Sequence, residues 1–398
     1  MTDKPNTFVG LDLGGAQIRC LVAVASGGEL QYLGCGALPP ARWDDSEMSE
    51  AYGKEVNGES VYEVICEAED SAGATVVSAV VGVAARGISS RLVHTGVQLP
   101  AEVGEVRPSD VQGVIARAAQ GLAQRDTIAL QFVPLEFTTD RSGALRDPVG
   151  HPARRLEAFV RIVAMPKSDH DGVSAVVHEA GIAVEDTVLG GFAAALCTLT
   201  QEERDEGVAH IEFGRVATIL TVYCGDRLRL AVGLPVGYED LVEELARSLN
   251  TSAAVALSLI ADFGRIEFDL DSQVVRVFVP GSDAGDPVGS GAMRSWSHVN
   301  EIITRRVRDC LWMVREEIKK IQLQGDAVRS LVLSGDMAAL PGMRERARDW
   351  VRLPTRIGQP AKMHDLPPAL QNPGWASAAG AVLYAHQLAC WQRSYLEN

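Results

Sequence analysis

The sequence is short of basic side chains and has no long apolar run. It contains 37 lysines and arginines against 52 aspartates and glutamates, for a net charge of −15. This balance argues against a general nucleic-acid binder, because such proteins present a basic face. No uninterrupted apolar run approaches the roughly 20 residues of a membrane-spanning helix. The opening residues, MTDKPNT, lack the apolar segment of a secretion signal. We therefore expect a cytoplasmic protein.

Motifs for disulfides and for zinc are also missing. The seven cysteines form no CxxC pair and are odd in number, which is typical of buried, reduced thiols in the cytoplasm. The eight histidines show no HExxH or comparable spacing, so we expect no zinc site. With 398 residues, of which 46% are apolar, the chain is long enough for about two to four domains.

The stretch Phe8–Ala23, FVGLDLGGAQIRCLVA, predicts a hairpin of two strands. Asp12 ends its first apolar run, and Gly14 and Gly15 allow a tight turn before the second. Glycines at such a tip let backbone amides approach a phosphate closely. Asp12 is placed to hold Mg²⁺ through water. From these residues alone, an ordinary hairpin with a polar tip is the favoured interpretation.

The pattern of the opening hairpin recurs about 200 residues later. Gly207–Tyr223 contains two apolar runs separated by Gly214. A third strand is predicted after each hairpin, at Glu29–Gly36 and at Arg227–Gly233. Two such three-stranded sets suggest a duplicated α/β unit.

Between the two sets lies a β/α block with its own apolar pattern. Strands are predicted at Arg91–Gln98, Ile128–Val133 and Leu156–Met165, the second of them stopping at Pro134. A helix is predicted to start at Pro108. The block indicates an inserted subdomain.

Two helices and a strand complete the pattern. Ser168–Asp169 is predicted to cap a helix, and a strand at Ser330–Ser334 is followed by Gly335 and Asp336. A long helix is predicted over Val299–Gln324. Its simplest interpretation is a helix with a solvated basic face, and the alternative is contact with an acidic partner peptide. The apolar face is Ile303, Val307, Cys310, Leu311, Val314, Ile318 and Ile321, and the basic face is Arg305, Arg306, Arg308, Arg315, Lys319 and Lys320.

The two glycine turns and the late Ser-Gly pair resemble the three nucleotide loops of the actin/Hsp70 ATPase superfold. The likeness becomes specific in the inserted block, which is similar to the bacterial cell-division family FtsA. The matching residues are Pro134-Leu135-Glu136-Phe137, Asp140, Gly143, Asp147-Pro148-Val149-Gly150 and Arg155-Leu156-Glu157. Further matches follow in the family's order at Leu189–Ala193, Leu199–Arg204, Leu331–Gly342, Arg356–Pro360 and Ala376–Gly380.

The resemblance implies an α/β, actin-like fold of two duplicated α/β domains, with subdomain 1C in place of the actin subdomain 1B. Related actin-like proteins of type IV pilus assembly lack this form of 1C, so Asp147-Pro148 favours the division family. The implied division is 1–83, 164–203 and 373–398 for domain 1A, 84–163 for domain 1C, 204–238 and 327–372 for domain 2A, and 239–326 for domain 2B.

The resemblance also implies a cleft for ATP or ADP with Mg²⁺. Asp12 and Glu212 are the implied catalytic residues, and Asp12 is the implied metal ligand through water. Asp336 stands where the family has a second glycine, which places a carboxylate beside the pocket. The implied nucleotide-binding residues are Asp12, Gly14, Gly15, Ala16, Gln17, Glu212, Gly214, Arg215, Gly237, Gly335 and Asp336.

Several loop positions depart from the family pattern. Gln17 replaces a lysine or arginine, and Arg215 and Val216 occupy glycine positions. Ala217 replaces a threonine, and Ile219 replaces a second carboxylate that helps to organise metal and water. We expect a weak or absent ATPase. Nucleotide binding itself stays open, because Arg215 is also a possible phosphate ligand.

For function, the resemblance implies a division scaffold that forms actin-like filaments. It would bind the C-terminal tail of the tubulin-like FtsZ through domain 2B, and the candidate hydrogen-bond donors are Arg305, Arg306 and Arg308. It would bind later division proteins through domain 1C. The seven residues after Trp391 contain one arginine, so we expect no membrane-inserting helix there. Attachment to the inner face of the membrane at the division site is then peripheral or through a partner. The alternatives are an active ATP-dependent enzyme of the actin/Hsp70/sugar-kinase superfamily and a type IV pilus actin-like adaptor.

Overall fold

The computed structural model describes residues 7–26, 28–38, 56–100, 104–120, 126–266, 276–281 and 291–396, with the backbone alone from residue 391. The expectation about the tail after Trp391 concerns side chains outside this described part and stays a prediction. The strands are β1 (Thr7–Asp12), β2 (Ile18–Ser26), β3 (Glu29–Leu38), β4 (Ser78–Val83), β5 (Ser89–Gln98), β6 (Thr127–Thr139), β7 (Arg155–Pro166), β8 (Ala183–Leu189), β9 (Val208–Phe213), β10 (Thr218–Cys224), β11 (Arg227–Leu234), β12 (Arg276–Pro280), β13 (Gly291–Ser295), β14 (Ser330–Gly335) and β15 (Thr355–Ile357). The helices are α1 (Gly58–Ala72), α2 (Pro108–Ala119), α3 (Lys167–Glu179), α4 (Gly190–Thr198), α5 (Gln201–Glu206), α6 (Tyr238–Leu249), α7 (Ala253–Phe263), α8 (Trp296–Leu323), α9 (Met343–Val351) and α10 (Ala376–Leu396).

Two five-stranded sheets of the same design form the two halves of the molecule. The first has the order β3-β2-β1-β4-β8, and the second has the order β11-β10-β9-β14-β15. In both, an antiparallel set of three strands continues into parallel strands. The predicted hairpins therefore form, and the second set repeats the topology of the first.

Helices cover both faces of the first sheet, which explains why its central strands are apolar throughout. Helices α1 and α3 share one core with this sheet, and α4 and α10 share another. The pair α4 and α10 pack very closely, because a Cβ atom on Gly380 would lie 1.9 Å from the Ala193 carbonyl oxygen. A glycine is therefore required where these helices cross.

The second sheet packs on α6, α7, α8 and α9 around one large core. The predicted apolar face of the long helix is confirmed, since all seven of its residues are buried. Helix α7 has no counterpart in the sequence analysis. Its apolar residues occur on nearly all sides, so the pattern contains no clear polar face.

The inserted block forms its own three-stranded sheet, in the order β5-β7-β6, with α2 on one face. Leu156, Val160 and Ile162 of the central strand are fully buried there. The prediction that the second strand stops at Pro134 is wrong, since β6 continues to Thr139. Proline is tolerated because β6 is an edge strand and its register shifts beside Pro134.

The start of this block also joins the second half of the molecule. The Gly233 amide donates to the Ile88 carbonyl oxygen at 3.0 Å. The Ala231 amide donates to the Ser90 hydroxyl at 2.8 Å. Strand β11 is the outer strand of its sheet, so these bonds cover its free edge. We call this contact the insertion seam.

The predicted cap at Ser168–Asp169 is wrong. Helix α3 begins one residue earlier, at Lys167, and its cap position is Pro166, which makes no side-chain capping bond. The Lys167 amide donates instead to the Asp126 carbonyl oxygen at 3.0 Å. A backbone acceptor therefore replaces the predicted side-chain cap.

Candidate functional site

The candidate site is the cleft where the two glycine turns meet. Asp12 ends β1, Glu212 lies near the end of β9, and Asp336 directly follows β14. The turns touch each other, because the Arg215 amide donates to the Gly14 carbonyl oxygen at 2.7 Å. A Cβ atom on Gly214 would lie 2.7 Å from that same oxygen. The structure thus brings residues predicted from both loops into one place.

Asp12 is buried and folds back on its own turn. Its Oδ1 accepts hydrogen bonds from the amides of Gly14 at 3.0 Å and Gly15 at 3.2 Å. Burial raises the pKa of Asp12 to about 6, although the charge of Arg19 opposes the rise. Its second oxygen is buried and meets no hydrogen-bond donor in good geometry among the residues that the structure describes.

Arg19 is the main residue of the cleft that the sequence analysis did not single out. Its guanidinium forms a fork with the Asp336 carboxylate, with Nη1 donating to Oδ2 at 3.1 Å and Nη2 donating to Oδ1. Nη2 also donates to the Gln17 side chain at 3.1 Å. Burial alone would lower the pKa of Arg19, but Asp336 raises it above its ordinary value. The sequence does contain a signal for this residue, because Arg19 is the single arginine within the apolar run of β2.

Glu212 belongs to a buried polar cluster beside the cleft. The Ser334 hydroxyl contacts its carboxyl group and also lies 2.9 Å from His210 Nε2. Burial raises the pKa of Glu212 well above its ordinary value and lowers the pKa of His210 to about 3. Burial thus disfavours the charged form of both side chains, and the Ser334 hydroxyl already occupies the Glu212 carboxyl group.

The second turn is held by side-chain and backbone packing. Arg215 is buried, and its Nε lies 3.7 Å from Oε1 of Glu239. A Cβ atom on Gly237 would lie 2.0 Å from the Arg215 carbonyl oxygen. Ile219, at the position of the second carboxylate, packs against Gly191, where a Cβ atom would lie 2.6 Å from its side chain. An alkyl group and close packing therefore replace the acidic group of the family pattern.

The loop residues do not fit a triphosphate in this arrangement. The amides of Gly14 and Gly15 donate to Asp12, and that of Arg215 donates to the other turn. The Gly214 amide donates to the Ala217 carbonyl oxygen at 3.1 Å. Backbone amides are the groups with which such turns bind phosphate. Across the described ranges, no three His, Cys, Asp or Glu side chains are grouped to hold a metal ion. ATP or ADP with Mg²⁺ therefore stays a prediction from the resemblance.

A cavity of about 340 Å³ opens beside the Arg19–Asp336 pair. Ala16 and Gln17 line it from the first turn, and Tyr238 and Asp336 line it from the second half. These predicted residues are thus close together, although the cavity continues toward α7 rather than between the glycine turns.

The candidate arginines of α8 differ in their surroundings. Arg305 and Arg306 both contact Glu244 of α6, at 2.5 and 3.9 Å. Arg308 is 56% exposed, and its Nε lies 4.0 Å from Oδ1 of the adjacent Asp309. Arg308 is therefore the most available of the three for an external acidic group.

The comparisons with known proteins agree with this architecture. A family model described as the SHS2 domain inserted in FtsA matches residues 86–164. The cell division protein FtsA of Pseudomonas aeruginosa is 25% identical over 383 residues, which cover 96% of this chain and 89% of that protein. FtsA of Borreliella burgdorferi is 26% identical, with 96% and 91% covered. The chain is therefore similar to FtsA cell-division proteins along nearly its whole length. The SHS2 match coincides with the three-stranded sheet of the inserted block.

Solved structures show the same fold at low sequence identity. A PilM–PilN type IV pilus biogenesis complex aligns with a TM-score of 0.66 and 16% identity, covering 95% of this chain and 98% of that one. MreB5 of Spiroplasma citri bound to AMPPNP aligns with a TM-score of 0.55 and 13% identity, covering 98% and 99%. The predicted α/β, actin-like fold is confirmed. Together with the FtsA relatives, this fold supports an actin-like cell-division protein.

Proposed function

We propose that this chain belongs to the FtsA family and acts as a division scaffold. It binds the C-terminal tail of FtsZ, connects the FtsZ ring to the inner face of the cytoplasmic membrane, and forms actin-like filaments. The observation that carries the proposal is the separate three-stranded sheet with its own core, which matches the SHS2 domain of FtsA. This sheet is the proposed domain 1C, and it recruits later division proteins.

ATP hydrolysis is weak or lost in this proposal. Hydrolysis on this fold needs a group that orients the attacking water and a metal shell that the protein helps to hold. Ile219 offers neither, and Glu212 is buried against Ser334. A phosphate-release assay with Mg-ATP tests this point, and turnover comparable with that of an active ATPase contradicts it.

The proposed FtsZ contact lies on α8, in the part of the chain assigned to domain 2B. An acidic tail peptide complements the basic face of this helix, which stands out on a chain of net charge −15. Arg308 is the principal donor in this proposal because it is exposed and weakly paired. Arg305 and Arg306 contribute less, since their contacts with Glu244 already neutralise them in part.

The test is titration calorimetry with a peptide of the FtsZ tail. Arg308→Glu should weaken binding about tenfold or more, because it replaces an attractive charge by a repulsive one. Arg348→Glu is the matched control: Arg348 is also exposed and also pairs with the next residue, Asp349. Unchanged affinity in Arg308→Glu, or equal loss in both variants, excludes the α8 assignment.

Membrane attachment is proposed to be peripheral or through a partner. In the ranges that the structure covers, none of the helices combines the length and apolar character required to cross a bilayer. Co-sedimentation with anionic liposomes, alone and with FtsZ, separates the two routes. Pelleting that depends on FtsZ supports the partner route, and pelleting of the chain alone supports direct attachment.

Two other functions were predicted as alternatives. An active ATP-dependent enzyme is disfavoured by the cleft, where four loop amides already have protein acceptors. A type IV pilus adaptor is disfavoured by the SHS2 match over residues 86–164.

A further inference from the structure

We propose that Asp336 is a built-in anionic ligand of Arg19, and that this pair holds the two halves of the molecule together without a bound nucleotide. Arg19 lies on β2 of the first sheet, and Asp336 directly follows β14 of the second. The pair thus spans the cleft in which the fold would receive a polyphosphate. The proposal concerns this cleft and is independent of any FtsZ contact.

The geometry of the pair is that of arginine bound to an oxyanion. Two guanidinium nitrogens reach the two carboxylate oxygens, in the fork arrangement that arginine also uses for phosphate. Only 4% of the Arg19 side chain and 22% of the Asp336 side chain are exposed. The guanidinium also lies over the Trp375 ring, 5.6 Å from its centroid. Asp336 therefore occupies the guanidinium face that an external anion would need.

The surrounding glycines leave room for this pair. A Cβ atom on Gly374 would lie 2.7 Å from Asp336 Oδ1 and 2.8 Å from Arg19 Nη2. Gly335 has a φ angle of 84°, and a Cβ atom there would lie 2.3 Å from the Phe213 carbonyl oxygen. Because glycine accepts both constraints, the chain can place the carboxylate against the guanidinium.

A second contact joins the two halves of the molecule through the backbone. The amide of Arg215 in the second half donates to the carbonyl oxygen of Gly14 in the first half at 2.7 Å. Protein groups thus bridge the halves at two points, one through side chains and one through the backbone. In a nucleotide-dependent cleft, phosphate would supply such bridges.

Hydrogen exchange of the cleft amides tests the proposal. Asp336→Asn should speed exchange of the Gly14, Gly15 and Arg215 amides about tenfold or more, because the halves separate more often. In the unmodified protein, Mg-ATP at about 5 mM should change neither these rates nor the thermal midpoint, since a ligand that binds the folded state would slow opening. Slower exchange of these amides with Mg-ATP overturns the proposal.

The matched control is Asp326→Asn. Asp326 forms a similar fork with Arg229, at 2.8 and 2.6 Å, but both residues lie in the second half of the molecule. This variant should lower the thermal midpoint without speeding exchange in the cleft. Equal effects of Asp326→Asn and Asp336→Asn on the cleft amides would mean a general loss of stability and reject the bridge.

Two further variants keep the test decisive. Arg19→Met combined with Asp336→Asn should be no less stable than Arg19→Met alone, because the second substitution removes the Asp336 charge that has lost its partner. Gly374→Ala crowds the pair without changing its charges, so it should also speed exchange in the cleft. Additive losses in the double variant, or unchanged exchange in Gly374→Ala, contradict the proposed role.

Discussion

At the scale of single residues, the titration of Asp12 makes the stability of the folded protein depend on pH. Its pKa is about 6 in the folded protein, against an ordinary value of 3.8. The folded state therefore binds this proton more tightly than the unfolded chain does. Its contribution to stability is present below about pH 4 and is lost as the pH rises through about 6.

We predict that Asp12→Asn becomes more stable relative to the unmodified protein as the pH rises from 4 to 7. The asparagine does not titrate, and its side-chain oxygen can still accept from Gly14 and Gly15. The relative gain should reach about 3 kcal/mol, from roughly two pKa units at 1.36 kcal/mol each. Urea denaturation at several pH values measures it.

Asp140→Asn is a control of opposite sign. Backbone hydrogen bonds from Arg154 and Arg155 lower the pKa of Asp140 below its ordinary value. Its stabilising contribution is thus present above the ordinary pKa and is lost as the pH falls. Relative to the unmodified protein, Asp140→Asn should become less stable as the pH rises. Parallel pH profiles for Asp12→Asn and the unmodified protein contradict the assignment of Asp12.

Residue patterns reveal the acidic groups of the cleft more readily than its arginine. Asp12 and Asp336 follow predicted strands, so their meeting at the sheet ends could be expected. Arg19 stands in a strand whose residues are buried on both faces, which indicates an internal acidic partner but does not say which of the 52 acidic residues it is. The acidic partner of Arg19 is determined by tertiary packing between two segments that lie 317 positions apart in the sequence.

At the scale of elements, the crossing of α4 and α10 depends on Gly380. We predict that Gly380→Ala lowers the free energy of unfolding by about 1–3 kcal/mol, because the new methyl group forces the two helices apart. A Cβ atom there would lie 1.9 Å from a backbone oxygen. Thermal and urea denaturation measure the loss.

The control is Gly172→Ala in α3, where a Cβ atom would meet no other described part of the chain within 4 Å beyond its own helix turn. Alanine is the better helix former, so this variant should gain about 0.5–1 kcal/mol. The opposite signs distinguish helix propensity from close packing. A Gly380→Ala variant as stable as the unmodified protein would show that the helices can separate at no cost.

Helices can be predicted from the sequence where one of their faces is polar, because the spacing of apolar residues is then visible. The buried stripe of α8 follows from its spacing alone. Helix α7 was missed because AAVALSLIADF is apolar on most sides, although its Ser252 cap accepts from the Val255 amide at 3.3 Å. Strand β6 was cut short at Pro134 because edge position depends on the whole sheet, which a local pattern does not contain.

At the scale of the whole molecule, the insertion seam ties the three-stranded sheet to the second half. We predict that Gly233→Ala opens it, because a Cβ atom there would lie 2.2 Å from the Ala85 carbonyl oxygen. Exchange of the Ala231 amide should then rise about tenfold or more. Gly113→Ala, at an open position on α2, should leave it unchanged.

Fast exchange at Ala231 in both variants, or in neither, contradicts this account of the seam. The seam itself was beyond sequence analysis. It joins residues near 90 to residues near 231 through one side-chain and one backbone bond, and hydrophobic periodicity carries no information about such pairs.

Covered strand edges also limit how copies of this protein can meet. Besides β11, the outer strand β3 is paired: the Tyr32 amide donates to the His364 carbonyl oxygen, and the His364 amide donates to the Leu30 carbonyl oxygen. A neighbouring chain would have to displace these bonds before adding a strand at either margin. Polymers of this protein therefore cannot grow by adding strands at β3 or β11 while these bonds stay in place.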